Sequence, residues 1–207
     1  IAGLVTAYRY GEPFTSEDEN LLTVVSSLLS LVLSNIRAQQ KIQKLADQDE
    51  LTGVGNKRSM RKRLAAEVER SRVYKVPLSV LMYDLDDFKE INDSYGHPMG
   101  DVVLSELCGA VRETLRPTDH LARFGGDEFT IVLPHTDLKG ARATAERILE
   151  KVRGLRLMSD EGRMITISVS IGVASFLDSD SGPADLLQRA DERLYDSKHG
   201  GKDRVSW

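Results

Sequence analysis

The longest uninterrupted pattern in the chain is helical. Thr15 or Ser16 can cap a helix whose first turn carries Glu17, Asp18 and Glu19, and no Gly or Pro breaks it until about residue 48. Its apolar residues form two seams. Leu21, Val24, Leu28, Leu31, Asn35, Ala38, Ile42 and Leu45 keep a 3-4 spacing to the end, whereas Leu22, Val25, Leu29, Val32 and Ile36 form a second seam that stops there. A helix apolar on two faces and then on one packs against two neighbours at first and one later. The persistent seam has coiled-coil spacing, and Asn35 at a core position suits a parallel dimer of fixed register. The alternative is a single amphipathic helix lying on its own domain's core.

Around this helix the pattern alternates. Residues 3–8 read as a strand and Gly11-Glu12-Pro13 as a turn. Two glycines and an asparagine between residues 49 and 58 end the long helix, and a second helix follows over roughly 59–73. The run from Leu78 to Asp84 is nearly continuous in apolar residues, as in a strand buried on both faces. A loop with Gly96-His97-Pro98 leads to a helix from about 100 to 115. Gly125-Gly126, set between Leu121 and Phe124 on one side and Phe129, Ile131, Val132 and Leu133 on the other, predicts a tight hairpin. A helix near 138–153, a strand over 165–174, a polar loop at 178–183 and a last helix over about 183–199 complete the chain. This order predicts an α+β fold, with a ferredoxin-like or palm-type sheet covered by helices behind a long N-terminal helix.

Composition narrows the function classes. The 207 residues are 41% hydrophobic and 29% charged, ordinary for a globular protein, and the formal net charge of -4 argues against a nucleic acid polymer as partner. The single cysteine, Cys108, rules out an internal disulfide and fits a reducing, cytoplasmic setting; among Leu104, Leu107 and Val111 it reads as a buried apolar residue. No strictly apolar run of membrane-spanning length occurs, so no membrane contact is expected. The first residues read like the middle of a longer protein. A Walker-type phosphate loop, a Cys/His zinc set and a serine-triad signature are all missing from the sequence.

What remains is acid where acid is costly. Asp84, Asp86 and Asp87 end a buried strand, and Asp127 and Glu128 stand side by side at the hairpin tip. If the two strands are neighbours, Asp84 and Asp127 converge, and the carbonyl of Leu85 can join them. Hard oxygen ligands with room for water suit Mg²⁺ (or Mn²⁺) bound together with substrate phosphates. Nucleotidyl transfer uses two such ions, and Glu128 can serve the second or take a proton from the attacking hydroxyl. Lys89 and Lys198 are candidates for phosphate charge.

From about residue 49 to 205 the chain resembles the GGDEF family of diguanylate cyclases. The resemblance rests on Asp49…Leu51-Thr52-Gly53…Asn56, Asp84-x-Asp86-x-Phe88-Lys89-x-x-Asn92-Asp93, Gly96-His97-x-x-Gly100-Asp101, Arg123-Phe124-Gly125-Gly126-Asp127-Glu128-Phe129, and Ala190-Asp191…Leu194-Tyr195…Lys198…Gly201. It implies condensation of two GTP into cyclic di-GMP by a homodimer holding one GTP per protomer. It implies that Asp84, the Leu85 carbonyl and Asp127 bind metal, that Asn92 and Asp101 hydrogen-bond guanine, and that Gly126 lets backbone approach the nucleotide. Phe88, His97, Lys198 and Lys202 join them as substrate-binding candidates, and Lys89 and Glu128 as catalytic ones. Lys202 and Asp203 depart from the Arg and Asn more usual in the family; lysine keeps the charge and loses the bidentate fork. Arg116-Pro117-Thr118-Asp119 has the spacing of the family's inhibitory product site, where Arg and Asp grip cyclic di-GMP and Arg147 would assist. A plain surface ion pair is the alternative for Arg116 and Asp119.

The expected first strand, then Phe14-Thr15-Ser16-Glu17-Asp18, then the long helix through Leu21-Leu22 to Ser34-Asn35-Ile36 resemble, over about the first 40 residues, the end of a GAF sensory domain. The expected organisation is therefore a sensory remnant over 1–19, a signalling and dimerising helix over 20–48, and a catalytic domain over 49–207. A catalytically silent cyclic di-GMP receptor is the alternative function.

Overall fold

The structure, a computed structural model, describes residues 13–159 and 161–207. The strand expected over residues 3–8 and most of the turn at 11–13 lie outside the described residues. The chain divides after Ala46 into two compact units, each taken by itself.

The first unit is dominated by α1 (Ser16–Asp47), which runs as its pattern predicts. Its start is capped reciprocally. The Thr15 hydroxyl accepts the Asp18 N–H at 3.3 Å, and the Asp18 carboxylate accepts the Thr15 N–H at 2.8 Å, satisfying donors that a helix start otherwise leaves orphaned. Leu21, Val24, Leu28 and Leu31 of one seam and Leu29, Val32 and Ile36 of the other are exposed in the single chain. Ile42 and Leu45 lie outside the described side chains. By length and composition the 24-residue stretch Ser16–Gln39 is long and apolar enough to cross a membrane. Thr23, Ser26, Ser27, Ser30 and Ser34 interrupt the apolar residues there, so no continuous apolar run forms although the average is apolar.

In the second unit, Asp47–Trp207, six strands form one sheet. They are β1 (Gly55–Asn56), β2 (Leu78–Leu85), β3 (His120–Gly125), β4 (Glu128–Pro134), β7 (Val169–Ser175) and β8 (Val205–Ser206), in the order β1-β3-β4-β2-β7-β8. The central four are antiparallel, and each two-residue edge strand runs parallel to its neighbour. Helices α2 (Lys57–Tyr74) and α6 (Pro183–His199) cover one face; α3 (Phe88–Tyr95), α4 (His97–Glu113) and α5 (Leu138–Arg153) cover the other. A separate ribbon pairs β5 (Leu157–Met158) with β6 (Met164–Ile165).

The palm-type expectation holds, with three differences in detail. Phe88–Tyr95 is helical, a stretch to which the sequence pattern assigned no element; Phe88, Ile91 and Tyr95 share the side that packs on the core. Helix α4 starts at His97, with Pro98 in its first turn, where a missing N–H costs nothing. The strand expected over 165–174 is two, β6 and β7, separated by Thr166–Ser168.

Strand β2 explains why its sequence is apolar throughout. Val80 and Met82 pack among Met60, Leu64 and Leu194, while Leu81, Tyr83 and Leu85 pack among Val103, Leu107 and Ile148 on the opposite face. Glycine at position 172 sets how close α6 can lie to the sheet. A Cβ there would stand 2.2 Å from both the Ala190 carbonyl oxygen and the Leu194 nitrogen. Gly172→Ala should therefore cost about 2–3 kcal/mol through overpacking against rigid backbone, read as a lower urea midpoint with an unchanged slope. An unaltered midpoint would contradict this packing.

Candidate active site

The last residues of β2 meet the hairpin tip. In register, Asp84 lies opposite Glu128 of β4 on one side and Ser170 of β7 on the other. The Leu85 N–H donates to the Asp127 carbonyl at 3.3 Å, so the turn Gly126-Asp127 is tied to the strand end. Asp84 is only 6% exposed. Lys198, carried on α6, puts its ammonium 2.9 Å from the Asp84 carboxylate. Even so, burial pushes the Asp84 carboxyl up to about 6, and the charges of Asp127 and Glu128 add to the rise that Lys198 opposes.

The acids after Asp84 are answered differently. Asp86 accepts the Ser168 hydroxyl at 2.7 Å, the Ser170 hydroxyl at 2.6 Å and the Asp203 N–H at 3.0 Å. That is a satisfied structural carboxylate. Asp87 pairs with the Lys202 ammonium. Lys198 and Lys202, read from the sequence as phosphate ligands, thus lie on aspartates at the mouth of the site. Asp203 is held by Arg153 of α5.

The hairpin has a brace that the sequence reading passed over. Arg123 donates through Nε to the Gly126 carbonyl at 2.8 Å and through Nη1 to the Asp49 carboxylate at 3.2 and 3.3 Å. Asp49 also accepts the N–H and hydroxyl of Thr52 at 2.9 and 2.7 Å. Burial works against the Asp49 charge, but Thr52 and Arg123 together hold its carboxyl below the usual value. The Asp49…Thr52 and Arg123…Gly126 motifs are therefore one hydrogen-bonded unit, and Gly126 at φ 53° supplies the left-handed turn it needs.

The candidate base-reading residues sit on α3 and α4. Asn92 and Phe88 are half-buried, while Asp101, His97 and Lys89 are exposed. Gly100 makes room for the first two: a Cβ on it would come within 2.0 Å of the Asn92 side-chain oxygen and 3.2 Å of the Phe88 ring. On the far side of the hairpin, Asp119 accepts the Arg116 N–H at 2.9 Å and its own N–H bonds the Arg116 carbonyl, closing a turn. Arg147 reaches the Thr114 carbonyl at 2.9 Å and so stands next to that turn. Among the described residues no ion pair joins the Arg116 and Asp119 side chains. Cys108 is buried, its thiol pushed up to about 12 by burial, as a structural rather than a nucleophilic cysteine should be.

Among the described residues no three His, Cys, Asp or Glu side chains converge closely enough to hold an ion by themselves. Lys198 supplies the positive charge beside Asp84. The donor set still suits a hard divalent cation, which needs only one or two carboxylates when phosphates and water complete its shell. The charge deficit around Asp84, despite Lys198, is what such an ion would relieve.

These features agree with the comparisons. The chain matches the family described as Diguanylate cyclase, GGDEF domain, over residues 46–204, and it belongs to that family. It is 34% identical over 196 residues to Diguanylate cyclase A of Treponema denticola, a match covering 93% of this chain and 52% of that protein. It is 40% identical over 162 residues to the response regulator PleD of Caulobacter vibrioides, covering 78% of this chain and 36% of that protein. The chain thus spans about half the length of the first relative and about a third of the second. The coiled coil and GGDEF domain of DgcB from Caulobacter crescentus, solved in complex with c-di-GMP, superposes with a TM-score of 0.83 at 25% identity, covering 90% of this chain and 98% of that one. The diguanylate cyclase SiaD, in complex with its activator SiaC from Pseudomonas aeruginosa, gives 0.74 at 32% identity, covering 92% and 75%.

The raised Asp84 carboxyl makes a pH-dependent prediction. Its folded value of about 6 exceeds the ordinary 3.8, so between these values the folded chain binds the extra proton and stability falls as pH rises. Asp84→Asn removes that penalty at the expense of Lys198's partner. In chelator, it should raise unfolding stability by about 1–3 kcal/mol near neutral pH, and the gain should vanish near pH 4. A pH-independent difference would show that Asp84 is not the strained group.

Proposed function

We propose that this chain is the control helix and catalytic portion of a diguanylate cyclase that condenses two GTP into cyclic di-GMP and releases two pyrophosphates. One observation carries the reading. In a chain of this family, Asp84 ends the central strand opposite the hairpin that bears Asp127 and Glu128, in a cluster short of positive charge.

In this reading Asp84, the Leu85 carbonyl, Asp127 and Glu128 would hold magnesium or manganese, and the chemistry such ions would supply is activation of a 3′-hydroxyl and neutralisation of triphosphate charge. Asn92 and Asp101 accept and donate along the guanine edge; adenine presents the opposite pattern and leaves them unpaired, an adverse difference of several kcal/mol, or roughly that order. Phe88 and His97 flank the base, and Gly126 admits the nucleotide against the hairpin backbone. Lys198 and Lys202 exchange their aspartates for phosphate oxygens, with Lys89 adding charge, and Glu128 can take the hydroxyl proton. In each half-reaction the 3′-oxygen forms a bond to the facing α-phosphorus as the bond to pyrophosphate breaks.

One protomer supplies half of this arrangement, so the reading includes a homodimer. The exposed seam of α1 from Leu21 to Leu31 supports it, because paired helices would bury those leucines and Asn35 would fix the register. The segment before α1 is read as the tail of a GAF-like sensor, and the setting as cytoplasmic. The Arg116–Asp119 turn, with Arg147 beside it, is read as the inhibitory site for product. The c-di-GMP bound to the DgcB structure supports a product-binding surface in this family.

The test is incubation with GTP and Mg²⁺ followed by chromatography. Cyclic di-GMP should form, Asp127→Ala should lower the rate on the order of a hundredfold or more, and ATP should not be consumed. Arg116→Ala should keep the initial rate and lose inhibition by added product. Cyclic di-GMP binding with no turnover of GTP would overturn the catalytic reading in favour of a receptor.

A further inference from the structure

The loop that follows α6 holds an unusual backbone. Gly201, Lys202 and Asp203 have φ of 113°, 60° and 46°, so two consecutive non-glycine residues occupy the left-handed region. Such a conformation persists only where its surroundings impose it. Arg153, at the C-terminal end of α5, holds it from outside, beside the contacts of Lys202 with Asp87 and of Arg204 with Ile171. Its Nε lies 3.0 Å from each Asp203 carboxylate oxygen, and its Nη2 donates to the Asp203 carbonyl at 2.9 Å. Its Nη1 bonds Glu150 one turn earlier at 2.8 Å, which fixes the guanidinium from behind. The Asp203 N–H in turn donates to Asp86 at the end of β2.

Half-exposed ion pairs contribute little as a rule. This one differs because the same guanidinium grips side chain and main chain of a strained residue. It also differs in its charge setting: Asp203 stands by Asp86 and Asp87, where an uncompensated carboxylate would repel a polyphosphate. An asparagine at that position would need no counter-charge.

We propose that Arg153 is a positioning residue for the triphosphate. It neutralises Asp203 and fixes the loop from Gly200 to Arg204, and so aims Lys202 at the β- and γ-phosphates without touching substrate. The inference rests on the reading of the site as a GTP site and deepens it.

The test is direct binding to the full chain with Mg²⁺, comparing an unreactive GTP analogue with GMP. Arg153→Ala should weaken the analogue roughly 5- to 10-fold and leave GMP within about twofold, since GMP lacks the phosphates that Lys202 would hold. Adding Asp203→Asn to that variant should restore most of the loss by removing the orphaned charge, and Arg153→Lys should fall between. Unchanged binding of the analogue, an equal loss for GMP, or no recovery with Asp203→Asn would overturn the proposal. If the unsubstituted chain binds neither nucleotide, the GTP reading itself falls, and this proposal with it. Should Arg153→Ala fail to fold, the comparison of Arg153→Lys with Arg153→Lys/Asp203→Asn decides the same point.

Discussion

A negative charge at the end of a fully buried strand is the constraint on which the rest of this unit depends. Asp84 follows six buried residues and is itself almost out of water, where a lone carboxylate is costly. The surroundings can be read as ways of sustaining it. Helix α6 brings Lys198 to the strand end, and Gly172 lets α6 lie close enough to do so. Asp86, two residues on, is removed from the contest by two serine hydroxyls and a backbone N–H, and Asp87 by Lys202. The hairpin then adds two further acids instead of relief. A fold selected only for stability would place an apolar residue at position 84, so the cluster is most simply explained by what it binds.

Much of this was legible in the sequence because it depends on local pattern. The continuous apolar run of β2 identified a central strand, and paired glycines between two β-prone runs located the hairpin to within a residue. The acids could be assigned to the ends of those elements before their register was known. What escaped was of two kinds. Helix α3 is eight residues long, and its Phe88, Ile91 and Tyr95 spacing is too short to stand out from the polar residues between them. The other omissions are contacts across long sequence separations, such as Arg123 with Asp49 and Arg153 with Asp203. Neither pair lies on a shared helix face or a shared turn, so no periodicity announces it. Lys198 and Lys202 were recognised as cations near the site, but their aspartate partners follow only from how α6 and its following loop lie on the sheet.

The apolar helix α1 shows the opposite case, where the sequence pattern carries more than the single chain displays. Its leucine and valine seams are regular, and the fold of one chain leaves them in solvent. The same composition passes a length test for a membrane span. In the proposed dimer, the 3-4 seam that contains Asn35 would face a partner helix, a repeat that a lipid-facing helix has no need of.

Strand β2 is hydrogen-bonded along its length to β4 on one side and to β7 on the other. Amides in such a position open to solvent last, through global rather than local unfolding, so hydrogen exchange there reports the stability of the whole unit. The carboxylate at its end is therefore anchored on a strand paired along both edges, with little freedom to adjust its own position. Each half of the proposed dimer would behave as a stiff jaw. In that proposed arrangement, regulation would act on the gap and angle between two jaws, a quantity that would belong to the helices rather than to either site.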